Sequence, residues 1–327
     1  MNRNTRYSRA RRLSLLGGLF AVTFGFAAAA SDAWPSKPLT FIVPSSAGGG
    51  TDIYARLLAE GVGKLLKQTV VVENKPGASG NIGAAAAARA TPDGYTFLVS
   101  ATPAIAVNPY LYKNLPYDAE KDLVPVARGV DAPLVYVVPP NSPFKTLDDL
   151  IAAGKRDPGK LAFGSAGHGS PTFLGVKVME EKTGASFTHV PYKGMAPTMQ
   201  DFLGGRLDFL QSDVASVLPH IKAGKAIPIA ISSKSPLFPK VPVWTEQGLP
   251  DVPQSFSVMA PAGTPEAIVQ KMSETVVKAM EEPAVKQRLI DQGYIPVSDT
   301  PAKFAQQLKA ERAMWKALIE RNNITVE

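Results

Sequence analysis

The chain has no cysteine, which removes disulfides, thiolate metal sites and cysteine nucleophiles together. Its only histidines are His168, His189 and His220, too scattered to form a metal site by spacing. No metal or other cofactor is expected. Beyond the first thirty residues no apolar run is long enough to span a bilayer. Three chemical signatures are missing as well. There is no G-x-S-x-G elbow and no G-x-x-x-x-G-K-[ST] loop, and Gly77, Gly80 and Gly83 do not fall into G-x-G-x-x-G spacing. A large charge excess is also lacking. Of the 35 basic residues, Arg3, Arg6, Arg9, Arg11 and Arg12 belong to the first twelve positions. The remaining 30 against 28 acidic residues leave a net of about +2. No basic patch points to nucleic acid.

Those five arginines precede an apolar stretch from Leu13 to Ala30 that ends in Ala28-Ala29-Ala30. A basic n-region, an apolar h-region and a small-residue cleavage site are the pattern of a secretory signal peptide. Residues 1–30 are therefore expected to be removed on export, with the Sec and twin-arginine routes both open. The mature chain is long enough and apolar enough to bury a core without disulfides, divided between two lobes.

Strand-like and helix-like segments alternate along it, as in parallel α/β units. Its most informative feature is a strand–glycine loop–helix unit that occurs twice near the start. The first copy runs Leu39-Thr40-Phe41-Ile42-Val43-Pro44, then Ser45-Ser46-Ala47-Gly48-Gly49-Gly50, then a helical period from Thr51 to Leu66. The second runs from Thr69 through Pro76-Gly77-Ala78-Ser79-Gly80-Asn81-Ile82-Gly83 into an alanine run. A third lies at Leu161-Ala162-Phe163, Gly164 to Ser170, and Pro171 onward. Such loops bring backbone N–H groups at a helix start close to a ligand, and the helix dipole there favours an anion. Extended stretches near 128–139 and 252–262 read as connectors between lobes. They imply a first lobe of 34–130 plus 260–327 and a second of 135–254, hinged about a cleft. No fixed-period internal repeat is present.

Candidate contacts are the residues placed at that cleft. Ser46, Ala47, Gly48 and Gly49 lead, with Thr51 or Asp52 as the alternative helix cap. Asp52 is expected to be structural, because a carboxylate beside an anion site repels its ligand. Asn81 is either a ligand contact or a turn stabiliser. Ser100 and Thr102 end a strand where open α/β sheets bind ligands. Ser165, Gly167, His168 and Ser170 form the matching loop of the second lobe. Tyr192 stands at a strand–helix junction beside Lys193, which reads as solvated, and Asp213 ends a further strand. His189 and His220 read as surface or packing residues. Gly48→Val is expected to abolish binding and leave the fold intact, provided the φ of Gly48 is negative.

Together these residues resemble the periplasmic receptors of tripartite tricarboxylate transporters, the Bug receptor family. The similarity spans nearly the whole mature chain. It is carried by Trp34-Pro35-Ser36-Lys37-Pro38, Ala47-Gly48-Gly49-Gly50-Thr51-Asp52, Val72 to Gly83, Pro92-Asp93-Gly94-Tyr95-Thr96 and Asn108-Pro109. Val190-Pro191-Tyr192-Lys193-Gly194, Leu218 to Gly224 and Pro261-Ala262-Gly263-Thr264-Pro265 complete it. The resemblance implies a two-lobed type II periplasmic binding-protein fold of α/β class that closes like a Venus flytrap on a small carboxylic acid. It implies a monomeric periplasmic receptor without catalytic activity, whose partner is an inner-membrane permease. At Gln211-Ser212-Asp213 the chain departs from the family's Phe-Asp-Asn pattern, which leans the ligand towards a plain organic acid. The alternative is an exported serine hydrolase acting on a small ester or amide. It needs a nucleophile, base and orienting acid within reach of one another; Ser165, His168 and Asp213 could in principle supply them, but nothing in their spacing suggests a triad.

Overall fold

The computed structural model describes residues 34–321 and Ile324; the leader expected over 1–30 lies outside the described residues. The chain enters through β1 (Leu39–Val43), α1 (Gly50–Leu66), β2 (Val70–Asn74), α2 (Asn81–Ala88) and β3 (Thr96–Ala101). A π-helical turn at Pro103–Val107 and the short α3 (Asn108–Leu111) lead into β4 (Leu123–Asp131). The middle of the chain forms β5 (Leu134–Val138), α4 (Leu147–Arg156), β6 (Ala162–Ser165), α5 (Pro171–Thr183) and β7 (Thr188–Pro191). After these come α6 (Met195–Leu203), β8 (Phe209–Asp213), α7 (Val214–Lys222) and β9 (Ile227–Ile231). The chain then returns through β10 (Ser255–Pro261), α8 (Glu266–Glu281), α9 (Pro283–Asp291), β11 (Ile295–Asp299) and α10 (Pro301–Arg321). Among the described residues no helix is long and apolar enough to cross a membrane.

Two sheets result. The first has the order β11-β4-β10-β3-β1-β2 and the second β7-β6-β8-β5-β9. In the first, β1 lies parallel between β2 and β3, and β10 runs antiparallel between β3 and β4. The second repeats that plan: β6 lies parallel between β7 and β8, and β5 runs antiparallel between β8 and β9. The two lobes therefore share a topology that no sequence repeat announces. Each takes its antiparallel strand from a segment that has just crossed from the other sheet. Ala132-Pro133 makes the first crossing, and the second precedes Ser255. The two are tied where the Ala132 amide donates to the Gln254 carbonyl at 2.9 Å.

Burial explains which runs became strands. β1, β5, β8 and β10 are buried along almost their whole length, as strands covered on both faces must be. β2, at a sheet edge, alternates half-buried and exposed positions. Along β5, Val135 and Val137 face Met199, Phe202 and Leu210, whereas Leu134, Tyr136 and Val138 face the opposite cluster with Phe163, Phe209 and Trp244. α4 starts on a capping box, with Thr146 Oγ1 accepting from the Asp149 amide at 3.1 Å and Asp149 Oδ2 accepting from the Thr146 amide at 2.9 Å. α10 buries Phe304, Leu308, Trp315 and Leu318 as its spacing predicts.

The extended stretches read as connectors at 128–139 and 252–262 form strand on either side of the crossings, within β4, β5 and β10. β4 itself carries Pro125 and Gly129, which weaken its strand signal; pairing with β10 and β11 supplies what local propensity does not. Pro265 is the N-cap of α8.

Candidate functional site

In open α/β sheets ligands collect beyond the carboxyl ends of parallel strands, where the order of strands reverses. Here those points are the ends of β1 and β3 in one sheet and of β6 and β8 in the other. A single cavity joins them, with walls that include Pro44, Gly49, Gly80, Ser100 and Ala104 from the first lobe and Ser170, Lys193, Met195 and Asp213 from the second. Gln254 and Phe256, at the second crossing, also line it. It offers about 80 Å³ to the centres of water molecules. One water needs roughly 10–15 Å³ of such space, so the room suits a compact molecule of several heavy atoms and not a nucleotide.

Five helices begin at this cavity: α1, α2, α5, α6 and α7. Two have side-chain caps. Ser170 Oγ accepts from the Phe173 amide at 3.2 Å, and Asp213 Oδ1 accepts from the Ser216 amide at 2.9 Å. The other three start at Gly49, Gly80 and Gly194, which have no side chain with which to cap. First-turn amides have no acceptor within their own helix, so these three starts present donors and positive dipole ends to the cavity.

The lobes meet closely around it. The Gly50 amide donates to Ser216 Oγ at 2.8 Å, and that hydroxyl donates in turn to Asp213 Oδ2 at 2.8 Å. The Tyr294 hydroxyl donates to the Gly50 carbonyl at 2.7 Å. Ser79 Oγ donates to the His168 carbonyl across the cleft. A Cβ at Gly50 would collide with the Asp213 carboxylate, and one at Gly194 with Ser46 Oγ. Gly194 also sits at φ +131, which excludes most side chains on its own account. Burial pushes the Asp213 carboxyl above its ordinary pKa, although the bonds from Ser216 oppose this.

Gly49, Ser100, Ser170 and Asp213 thus stand on the cavity wall, and the remaining sequence candidates stand beside or behind it. Ala47 and Gly48 are exposed outside it. Ser46 packs against Gly194. Asn81 is buried, its Oδ1 accepting from Asn108 Nδ2 at 2.6 Å, while the same Nδ2 reaches the Ser79 carbonyl at 3.0 Å. Asn108 therefore fastens the second glycine loop. Thr102 Oγ1 donates to Glu311 Oε1 and accepts from the Ser255 amide, each at 3.1 Å, and so braces the second crossing. Gly167 is at φ +123 and its carbonyl accepts from Ser170 Oγ at 2.7 Å. Tyr192 donates to Asp201 Oδ2 at 2.7 Å. His168 turns its ring onto Phe173 and His189.

Asp52 has the structural role expected of it. It accepts from the Gly48 amide at 2.9 Å, Arg56 Nε at 2.9 Å and Asn74 Nδ2 at 3.0 Å. Burial alone raises its pKa, but those bonds outweigh burial and hold it below the ordinary carboxylate value. Neither Thr51 nor Asp52 caps α1; Gly49 occupies that position. Gly48 has φ +80, so valine there strains the backbone and does not report on binding.

His189 is a packing residue, one of the two roles expected of it. Its Nε2 lies 2.7 Å from Ser165 Oγ, and its ring is stacked among Phe163, Phe173 and His168. Burial first, then His168 and Lys177, push its pKa down to about 3, which keeps the ring neutral. The Ser165 hydroxyl is fully buried and lies off the cavity wall, paired with His189 and not with His168. A nucleophile needs access to its substrate.

Two lobes of one topology, closing on a cavity ringed by uncapped helix starts, define a solute-binding receptor. The chain belongs to the tripartite tricarboxylate transporter family receptors, whose family model matches residues 54–324. It is 38% identical to Protein BugT of Bordetella pertussis over 314 residues, covering 94% of this chain and 96% of that one. It is 30% identical to the periplasmic binding protein BugD, with a TM-score of 0.86 over 90% of this chain and 100% of that structure. An R. palustris protein solved with adipate gives the same identity, TM-score and coverage. These are solute-binding proteins and not enzymes.

Proposed function

We propose that the chain captures a small organic carboxylate in the interlobe cavity and presents it to a membrane permease of the tripartite tricarboxylate type. The observation that carries the reading is the convergence of three uncapped helix starts, at Gly49, Gly80 and Gly194, on one interlobe cavity. Amides at these starts hold the acid group from both sides, and the lobes close over it. The adipate found in a relative of the same fold has the matching chemistry. The first lobe comprises 34–130 and 260–327, the second 135–254, and the hinge lies where 128–139 and 252–262 run side by side. The chain acts as a monomer in the periplasm, exported on residues 1–30.

A thermal-shift screen of the mature protein, unfolded and refolded to strip retained ligand, tests this. A ligand at about a hundred times its dissociation constant stabilises the folded state by roughly 2.7 kcal/mol. A shift from one class of carboxylic acid without turnover supports the receptor. Silence across the acids, with a shift from nucleotides or hydrolysis of esters, contradicts it.

A further inference from the structure

Two buried carboxyls stand at the start of α1, and one of them lacks a counter-charge. Asp52 is matched by the Arg56 guanidinium, with Nε at 2.9 Å, and by Asn74. Asp213 is 3% exposed and stands on the cavity wall. Its carboxylate accepts from the Ser216 amide and hydroxyl, and Gly50 of the other lobe lies against it. The elements around it bring no cation into contact. β5 pairs Leu134 with it. The approach to β11 brings Tyr294, whose hydroxyl donates to the Gly50 carbonyl. Burial first, then the Asp213 charge, push the Tyr294 pKa well above its ordinary value, so that group stays neutral. Tyr54 of α1, packed on Tyr294, is held neutral by burial in the same way. Lys193, the other charged residue on the wall, is exposed, and Asp213 is not paired with it.

An anion drawn into this cavity by the helix-start amides adds a second negative charge beside an unpaired, buried carboxylate. Two like charges held close together out of water do not both stay ionised, and one of them binds a proton. We infer that the receptor takes up a proton with its anion: as the lobes close, Asp213 becomes the neutral acid, and capture weakens as pH rises. This rests on the carboxylate-receptor reading above and adds a proton to what the site binds. The proton comes from solvent and returns to it when the lobes open. A neutral carboxyl has a hydroxyl to donate, so a group that repels the ligand turns into a donor. Burial between the lobes already pushes the Asp213 pKa up, and the bonds from Ser216 do not cancel this. Opening returns the carboxyl to water and lowers its pKa again. A group whose pKa is higher in the liganded form binds a proton on capture. Affinity therefore falls as pH rises from the open-form value to the liganded one.

Calorimetric titration of the stripped protein with succinate, adipate, benzoate and glutamate tests the assignment. Each is titrated in PIPES and in imidazole buffer, whose different heats of ionisation count the protons taken up. Above about pH 7 the carboxyls of these acids are ionised, so uptake there belongs to the protein. With an acid that binds, the native protein is expected to take up at least about half a proton more than Asp213→Asn. Asparagine keeps the cap on α7 and stands in for the neutral acid. Asp213→Asn is therefore expected to bind at least about threefold more tightly than the native protein at about pH 8, with the gap closing towards about pH 6. A purely structural role for Asp213 instead makes the variant the weaker binder at both. Absence of proton uptake by the native protein, which is read without any variant, overturns the proposal and leaves the carboxylate receptor standing. Uptake that Asp213→Asn retains does the same. Binding of glutamate alone, without uptake, also overturns it, by pairing Asp213 with an ammonium group. No binding by any acid overturns both readings.

Discussion

At the scale of single residues, the site depends on side chains that are missing as much as on those present. Gly50 is the sharpest case, because its bare Cα lets the Asp213 carboxylate and Ser216 hydroxyl of the other lobe come against the start of α1. Its backbone is helical and accepts alanine, which even favours a helix by up to about 1 kcal/mol over glycine. The Gly50→Ala protein is therefore expected to fold normally and to close poorly, with ligand affinity lower by at least about tenfold in calorimetry. Unchanged affinity would mean that the lobes need not approach this closely. Asp52 and Asn108 act one layer back, one holding the first glycine loop through Gly48 and the other the second through the Ser79 carbonyl. A carboxylate beside an anion site has to be accounted for, which made the role of Asp52 readable in advance. The tie from Asn108 to the second loop spans 29 positions and had no local signal.

At the scale of elements, the second-lobe loop from Ser165 to Ser170 shows how a cavity wall is kept in place. Ser170 caps α5, and Ser165 is clamped by His189 from the neighbouring strand β7. Removing the cap with Ser170→Ala is expected to cost about 1 kcal/mol of stability, measured by chemical denaturation. His189 makes a separate prediction. Its folded pKa of about 3 lies below the unfolded value of 6.5. As pH falls below about 6.5 the unfolded chain takes up a proton that the folded chain refuses, so stability drops. His189→Gln can keep the hydrogen bond to Ser165 and lacks that titration. The native protein is expected to lose melting temperature faster than the variant between pH 7 and pH 4, and parallel curves would contradict the assignment. Strand–loop–helix units were legible because their signals are local: an apolar run, a glycine loop, a helical period. β4 and β11 were not, since both are antiparallel partners chosen by distant strands. The packing partners of His189 were hidden for the same reason, as they come from β6, α5 and the loop between them.

At the scale of the whole molecule, a six-stranded and a five-stranded sheet share a five-strand plan, exchange a strand each and leave their loop ends facing one cavity. The two-lobed architecture was legible from alternating elements and from two extended stretches. The duplicated topology was not, because the copies share a plan of pairing and no repeat of sequence. Within the cavity, Gly49, Ser100, Ser170 and Asp213 were reachable by reasoning from loop position. Gln254 and Phe256 were not, since only the return crossing brings them there. Lys193 was read as solvated because an isolated lysine usually is, and it is exposed while also lining the cavity. If ligand closes the lobes, small-angle scattering of the stripped protein is expected to show a smaller radius of gyration once a binding acid is added. The most direct measurement is a crystal structure of the mature protein with the acid that stabilises it most. The account predicts a carboxylate within hydrogen-bonding distance of the Thr51 amide or of first-turn amides at the Gly80 or Gly194 helix start. A ligand bound outside this cavity, or held in it without contact to those amides, would contradict the account.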